Sequence, residues 1–233
     1  MTYTTPTLTT VMTATLCFGC VQPQEARDSL QSKSHSAEIL AIGDSFLTFN
    51  APGMSIPEVA ASLLDATVDN DAVGGETLLG GGKDSIPNQY IPGGYKLLIA
   101  SGGGNDLGER CSCGFDCQPV LDQLISEDSS GGAIVELVER AIEDECVVAW
   151  VGYMVPTDDA EAFSGCDEEL DTMRERLHRL DEREEMMIFV DGASIGTGRE
   201  EALYKNDGHH PSTLGSEAIG ESLAEAIFAY LDD

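Results

Sequence analysis

The chain has 233 residues, with 42 acidic side chains against 12 basic ones and a formal net charge of −30. This is enough chain for one sizeable core, and an apolar content of 42% is ordinary for a globular fold. So negative a surface repels polyanions and argues against nucleic acid or an anionic membrane as a partner; no run approaches the ~20 apolar residues that a membrane helix needs.

Residues 1–36 differ from the rest, being Thr-rich and then Ser/Gln-rich, with no Lys or Arg before Arg27. The mildly apolar stretch 8–20 ends in Gly19-Cys20 and resembles a bacterial lipoprotein signal, with Cys20 as the lipidated residue. That resemblance implies a leader over 1–36, a single domain over 37–233, and a periplasmic or outer-membrane-associated protein whose membrane attachment is Cys20. A cytoplasmic protein with a disordered leader is the alternative.

Residues 39–45, Ile-Leu-Ala-Ile-Gly-Asp-Ser, read as a buried strand that ends in a turn and delivers Ser45 to the carboxyl edge of a sheet. Asp44 is expected to stabilise that turn. Ser55-Ile56-Pro57-Glu58 starts a helix to about residue 65, with Ser55 as cap and a carboxylate at the positive dipole end. A weak strand over 66–72 runs into Gly74-Gly75, and a glycine-rich stretch follows over 78–94. Its Gly-Gly-Gly-Lys lacks phosphate-loop spacing. Residues 96–101 form a third strand that empties into Gly103-Gly104-Asn105-Asp106. A helix over 133–145, a continuously apolar strand over 146–153, a helix over 167–185 and a strand over 186–191 come next. Trp150, Met186 and Met187 are expected in the core, and Ser212 caps a last helix to about residue 231. Strands alternating with helices predict a three-layer α/β/α, doubly wound, flavodoxin-like sheet of about five parallel strands.

Beyond Cys17 and Cys20 the cysteines are Cys111, Cys113, Cys117, Cys146 and Cys166. No histidine lies near the first three, so a local disulfide across that loop is favoured over a metal site, and five thiols leave at least one unpaired.

Small and polar residues collect after the strands: Ser45, Gly75, Asn105, and Asp207 with His210. A doubly wound sheet brings such ends to one edge. Acyl transfer uses this set. A serine hydroxyl needs a base, histidine suits that task near neutrality, and a carboxylate fixes the imidazole tautomer. A glycine N–H and an asparagine amide would hold the anionic intermediate. No metal or organic cofactor is called for.

The chain thus resembles the SGNH hydrolases, the GDSL-type esterases and lipases. The family blocks fall on Gly43-Asp44-Ser45, on 70–77 with Gly75, on Gly103-Gly104-Asn105-Asp106 and on Asp207-Gly208-His209-His210-Pro211. The resemblance implies Ser45 as nucleophile, His210 as general base and Asp207 as its orienting acid, with the Ser45 N–H, the Gly75 N–H and the Asn105 side chain as oxyanion hole. Gly74 is the alternative to Gly75, His209 to His210 and Asp191 to Asp207; His35 and His178 have no role. The implied substrates are short-chain or carbohydrate O-acyl esters, with the loops 78–94 and 109–118 flanking the cleft. An O-acyltransferase and a non-catalytic, ligand-binding envelope lipoprotein are the alternatives.

Overall fold

All four residues of β1 (Ile39–Ile42) are buried, as are β3 (Leu97–Ala100) and β4 (Val147–Val151). Runs without an exposed face belong to a parallel sheet covered on both sides. The computed structural model describes Met1 and residues 37–232 except 93, 114–115, 164 and 196–199. The leader, with Cys17, Gly19, Cys20 and His35, therefore lies outside the described residues.

With β2 (Val68–Asn70) and β5 (Met187–Val190), the strands form a five-stranded sheet in the order β2-β1-β3-β4-β5, every pair parallel. The three-layer α/β/α fold expected from the sequence is what the chain adopts. Strand pleating sends alternate residues to opposite layers even in these apolar runs. Leu40, Ile42, Leu98, Ala100, Val148 and Trp150 pack on one face, beneath the helices that follow β3 and β4. Ile39, Ala41, Ile99, Val147, Ala149 and Val151 pack on the other, against Ala60, Ile219, Leu223 and Ile227. Trp150, Met186 and Met187 are buried as expected.

The helices are α1 (Ser45–Thr48), α2 (Ile56–Leu63), α3 (Ile86–Gln89), α4 (Gly104–Arg110), α5 (Gln118–Leu124), α6 (Ala133–Glu143), α7 (Asp167–Arg183) and α8 (Thr213–Asp232). Ser55 caps α2 in a full capping box with Glu58, and the Ser212 hydroxyl accepts the Gly215 N–H at 3.2 Å. No helix among the described residues is long and apolar enough to cross a membrane.

The first strand stops at Ile42 and gives way to the expected turn, where Asp44 caps a new helix and so places Ser45 at the first position of α1. One expectation is corrected. The glycine-rich stretch 78–94 holds α3, and Leu78, Ile86 and Tyr90 are buried in the core. The local disulfide is present as Cys111–Cys117, a second bond joins Cys113 to Cys166, and Cys146 is free and buried.

Candidate active site

The turn from β1 into α1 is built from its backbone outward. Gly43 sits at φ +154°, and a Cβ there would lie 2.7 Å from the Ser101 carbonyl oxygen on the neighbouring strand's extension, a fit that glycine allows. Its N–H donates to Gln89 Oε1 at 2.7 Å, and its carbonyl accepts from Gln89 Nε2 at 3.0 Å. The buried amide of α3 thus continues the ladder where β1 ends, pairs the Gly43 N–H that burial would otherwise strand, and shares the Gly43 carbonyl with the Val73 N–H at 3.0 Å. Asp44 then accepts the Phe46 N–H at 2.9 Å and fixes the start of α1.

Ser45 Oγ lies 2.8 Å from His210 Nε2, and His210 Nδ1 lies 2.9 Å from Asp207 Oδ2. Asp207 also accepts the backbone N–H groups of His210 at 3.0 Å and His209 at 3.2 Å through Oδ1. Burial acts to raise the Asp207 carboxyl, but these donors outweigh it and hold the group at about 2. Burial lowers the His210 imidazole below its ordinary value, helped by nearby His209 and Lys205 and opposed by Asp207. Neutral imidazole with a fixed carboxylate on Nδ1 leaves Nε2 free to accept a proton from Ser45.

The histidine loop is closed on itself and pinned to α1. Lys205 N–H bonds the His210 carbonyl at 2.9 Å, and Tyr204 bridges to Pro211. Asn50, just past α1, donates to the Pro211 carbonyl at 3.1 Å and to Ser212's helix neighbour Ser216 at 2.8 Å. Phe49 stacks on the His210 ring at 3.9 Å between centroids. Together these contacts hold His210 and Ser45 in register across 165 residues of sequence.

Opposite the triad, Val73-Gly74-Gly75-Glu76 is a turn closed by the Glu76 N–H on the Val73 carbonyl at 3.2 Å. Gly75, at φ +83°, takes the position where a type II turn needs positive φ. Gly74 is the nearer of the two to the nucleophile on this measure: a Cβ on it would lie 3.7 Å from Ser45 Cβ, whereas one on Gly75 would meet nothing within 4 Å. Asn105 Nδ2 donates to the Glu76 carbonyl at 3.0 Å and approaches Asp44 Oδ2 at 3.4 Å. Asp106 ties the two segments together, accepting the N–H groups of Leu78 and Leu79 at 2.8 Å each. Burial raises the Asp106 carboxyl above its ordinary value in spite of those two donors.

The alternatives separate on contacts. His209 Nδ1 lies 3.0 Å from the Asp207 carbonyl and its ring packs edge-on to Phe163, so it borders the cleft without reaching Ser45. Asp191 caps a 3-10 turn and pairs with Arg174 at 3.3 Å. His178 sits against Phe189 and Asp191.

The cleft at Ser45 is narrow, about 20 Å³, and its walls include Phe46, Asn105, Tyr153, Met154, Phe163 and Leu170. Among the described residues neither 78–94 nor 109–118 contributes to those walls, contrary to expectation. The first stretch supports the site from beneath through Gln89. The second reaches it at one remove, through the Cys113–Cys166 bond to the loop that carries Phe163. The wall residues that the sequence does not mark lie in the segment after β4, where Tyr153, Met154 and Phe163 carry no spacing signal.

No protein-family model matches the chain, and no curated protein matches it in sequence. Solved structures do share its fold. A protein described as a candidate SGNH hydrolase, from Slackia heliotrinireducens, is similar with a TM-score of 0.60 at 21% identity over 81% of this chain and 97% of that one. An acetylxylan esterase from Geobacillus stearothermophilus, solved as a catalytic mutant, gives 0.60 at 17% identity over 81% and 93%. A carbohydrate acetylesterase family member from Sinorhizobium meliloti gives 0.58 at 20% over 84% and 99%. The fold is that of the SGNH hydrolases.

Proposed function

We propose that this chain is an SGNH-type esterase that cleaves acyl esters through a Ser45 acyl-enzyme. The observation that carries the reading is the continuous path from Ser45 Oγ to His210 Nε2 at 2.8 Å and from His210 Nδ1 to Asp207 at 2.9 Å. As Ser45 Oγ bonds to the ester carbonyl carbon, its proton passes to His210 Nε2 and the carbonyl oxygen becomes an oxyanion. Asp207 stabilises the imidazolium without taking its proton. The intermediate collapses, the C–O bond to the alcohol breaks, and His210 returns the proton to the leaving oxygen. Water then attacks the acyl-enzyme with His210 as base, releasing the carboxylic acid and restoring Ser45.

The oxyanion donors are the Ser45 N–H at the start of α1, the Gly75 N–H of the turn and the Asn105 amide. The Glu76 carbonyl holds one Asn105 hydrogen and thereby sets the amide plane. The other hydrogen, only loosely engaged by Asp44 at 3.4 Å, is the one offered to substrate. A small acyl group suits the narrow cleft, so acetyl and other short-chain or carbohydrate O-acyl esters are the proposed substrates. The acetylxylan esterase and carbohydrate acetylesterase among the structures of the same fold support that ranking. For the leader, export with lipidation at Cys20 is the proposal, supported by the two disulfides, which suit an oxidising compartment.

Hydrolysis of 4-nitrophenyl acetate and butyrate by the full chain, beside Ser45→Ala, tests the reaction class. Turnover by wild type with a loss of at least about 10⁴-fold in the variant is expected. Equal rates in the two proteins would overturn it.

A further inference from the structure

Tyr153, the second residue past β4, is half-buried against the Ser45 turn, and its hydroxyl has no part in the triad. That hydroxyl donates to Asp44 Oδ2 at 2.6 Å and accepts the Gly104 N–H at 3.2 Å. Its ring lies edge-on to Phe46 at 5.2 Å between centroids. Asp44 is 2% exposed and sits directly before the nucleophile. Its Oδ1 is committed to the Phe46 N–H and its Oδ2 faces two donors, Tyr153 at 2.6 Å and Asn105 Nδ2 at 3.4 Å.

A buried carboxylate is a strong acceptor, and a charge-assisted hydrogen bond is about twice as strong as a neutral one. Left alone, Asp44 would pull the Asn105 amide into a full bond, because Asn105 is the other side-chain donor that reaches Oδ2 among the described residues. The two distances record which donor prevails.

We propose that Tyr153 is a positioning residue that saturates Asp44 Oδ2 and thereby keeps the free hydrogen of Asn105 available to the oxyanion. The inference rests on the acyl-enzyme reading and deepens it. The groups facing Asp44 are consistent with this role. Tyr153 stays protonated because burial and the adjoining Asp44 push its phenol well above its ordinary range. Burial, with a contribution from Asp106, raises the Asp44 carboxyl, and the Tyr153 and Phe46 donors work against that rise.

The test is a thermodynamic cycle on 4-nitrophenyl acetate hydrolysis by the full chain, with kcat normalised to sites titrated by a fluorophosphonate. Tyr153→Phe is expected to lower kcat about 10- to 100-fold, at most the lower end of the ~10²–10³-fold cost of losing one oxyanion donor outright, with KM changed by no more than about twofold. In an Asn105→Ala background the same change is expected to lower kcat by less than about threefold, because the group it serves is already gone. Asp44→Asn added to Tyr153→Phe is expected to recover most of the lost kcat, since an amide still caps α1 while its NH2 cannot accept from Asn105.

Multiplicative losses in the cycle, or a Tyr153→Phe enzyme with wild-type kcat, would overturn the proposal. Should Tyr153→Phe alone yield no folded protein, the Asp44→Asn/Tyr153→Phe pair decides: folded and active supports the proposal, and unfolded or inactive contradicts it. Failure of the underlying reading looks different, as wild type would then turn over no faster than Ser45→Ala.

Discussion

The two halves of the site are held in different ways. The acid–base half is local: Asp207 and His210 lie three apart, joined through both backbone and side chain within one loop, and the Asp207 side chain is 38% exposed. The nucleophile half is assembled from afar. Its turn is held by Gln89, 46 residues on, and by Tyr153 at a separation of 109, both reaching buried atoms of Gly43 or Asp44. A local, partly solvated pair tunes protonation, whereas a buried, remote network fixes geometry. Damage should therefore appear as altered pH dependence and chemistry in the first half, and as altered stability or donor placement in the second.

The largest effect expected within the local half is from Asp207→Asn, which keeps the shape but loses the carboxylate that selects the imidazole tautomer. A drop of about 10⁴-fold in kcat is expected, with the urea midpoint lowered only by the modest stability that the Asp207 carboxylate itself contributes. A large loss of stability instead would break the distinction between the halves.

The pH dependence sharpens it. Activity needs neutral His210, which exists above its pKa, and burial has moved that pKa below 6.5. Thus kcat/KM should rise with pH to a half-maximum below 6.5 and stay level through neutrality, and a midpoint above 6.5 would contradict the assignment. Asp207, lowered from 3.8 to about 2, contributes stability that is present above 3.8 and lost as pH falls through about 2. It therefore remains ionised across the whole activity profile.

For the remote half, Gln89→Leu removes the only acceptor described for the Gly43 N–H, while the Gly43 carbonyl keeps the Val73 N–H at 3.0 Å. Leaving one buried backbone donor unpaired costs about 1–3 kcal/mol, expected as a lowered urea midpoint with unchanged slope. Folded sites that remain should keep their pH profile. The smallest expected effect is from Phe49→Ala at the seam between the halves. Loss of its stack on His210 is worth about 0.5–1.5 kcal/mol, or roughly two- to tenfold in kcat. A loss as large as that of Asp207→Asn would mean that the stack, and not the carboxylate, orients the base.

This division also explains what could be read from the sequence. Periodicity alone outlined the sheet, because β1, β3 and β4 are buried on both faces and so appear as unbroken apolar runs. Ser45, Asn105, Asp207 and His210 were legible because strand ends must converge in a doubly wound sheet and because Asp207 and His210 sit three apart. Tyr153 and Gln89 were not legible. Each acts through long-range hydrogen bonds, and a lone tyrosine past a strand, or a glutamine in a glycine-rich stretch, has no period or spacing to mark it. The same blindness put 78–94 beside the cleft, when Leu78 and Ile86 take it into the core and leave Gln89 to hold the site from below.

Covalent capture of the nucleophile tests the central claim most directly. A fluorophosphonate should bond to Ser45 Oγ with loss of HF, adding the mass of one probe less HF per chain. Peptide mapping should place it on Ser45, with no adduct in Ser45→Ala and much slower labelling in His210→Ala. An unlabelled wild type, or an adduct that persists in Ser45→Ala, would contradict the account.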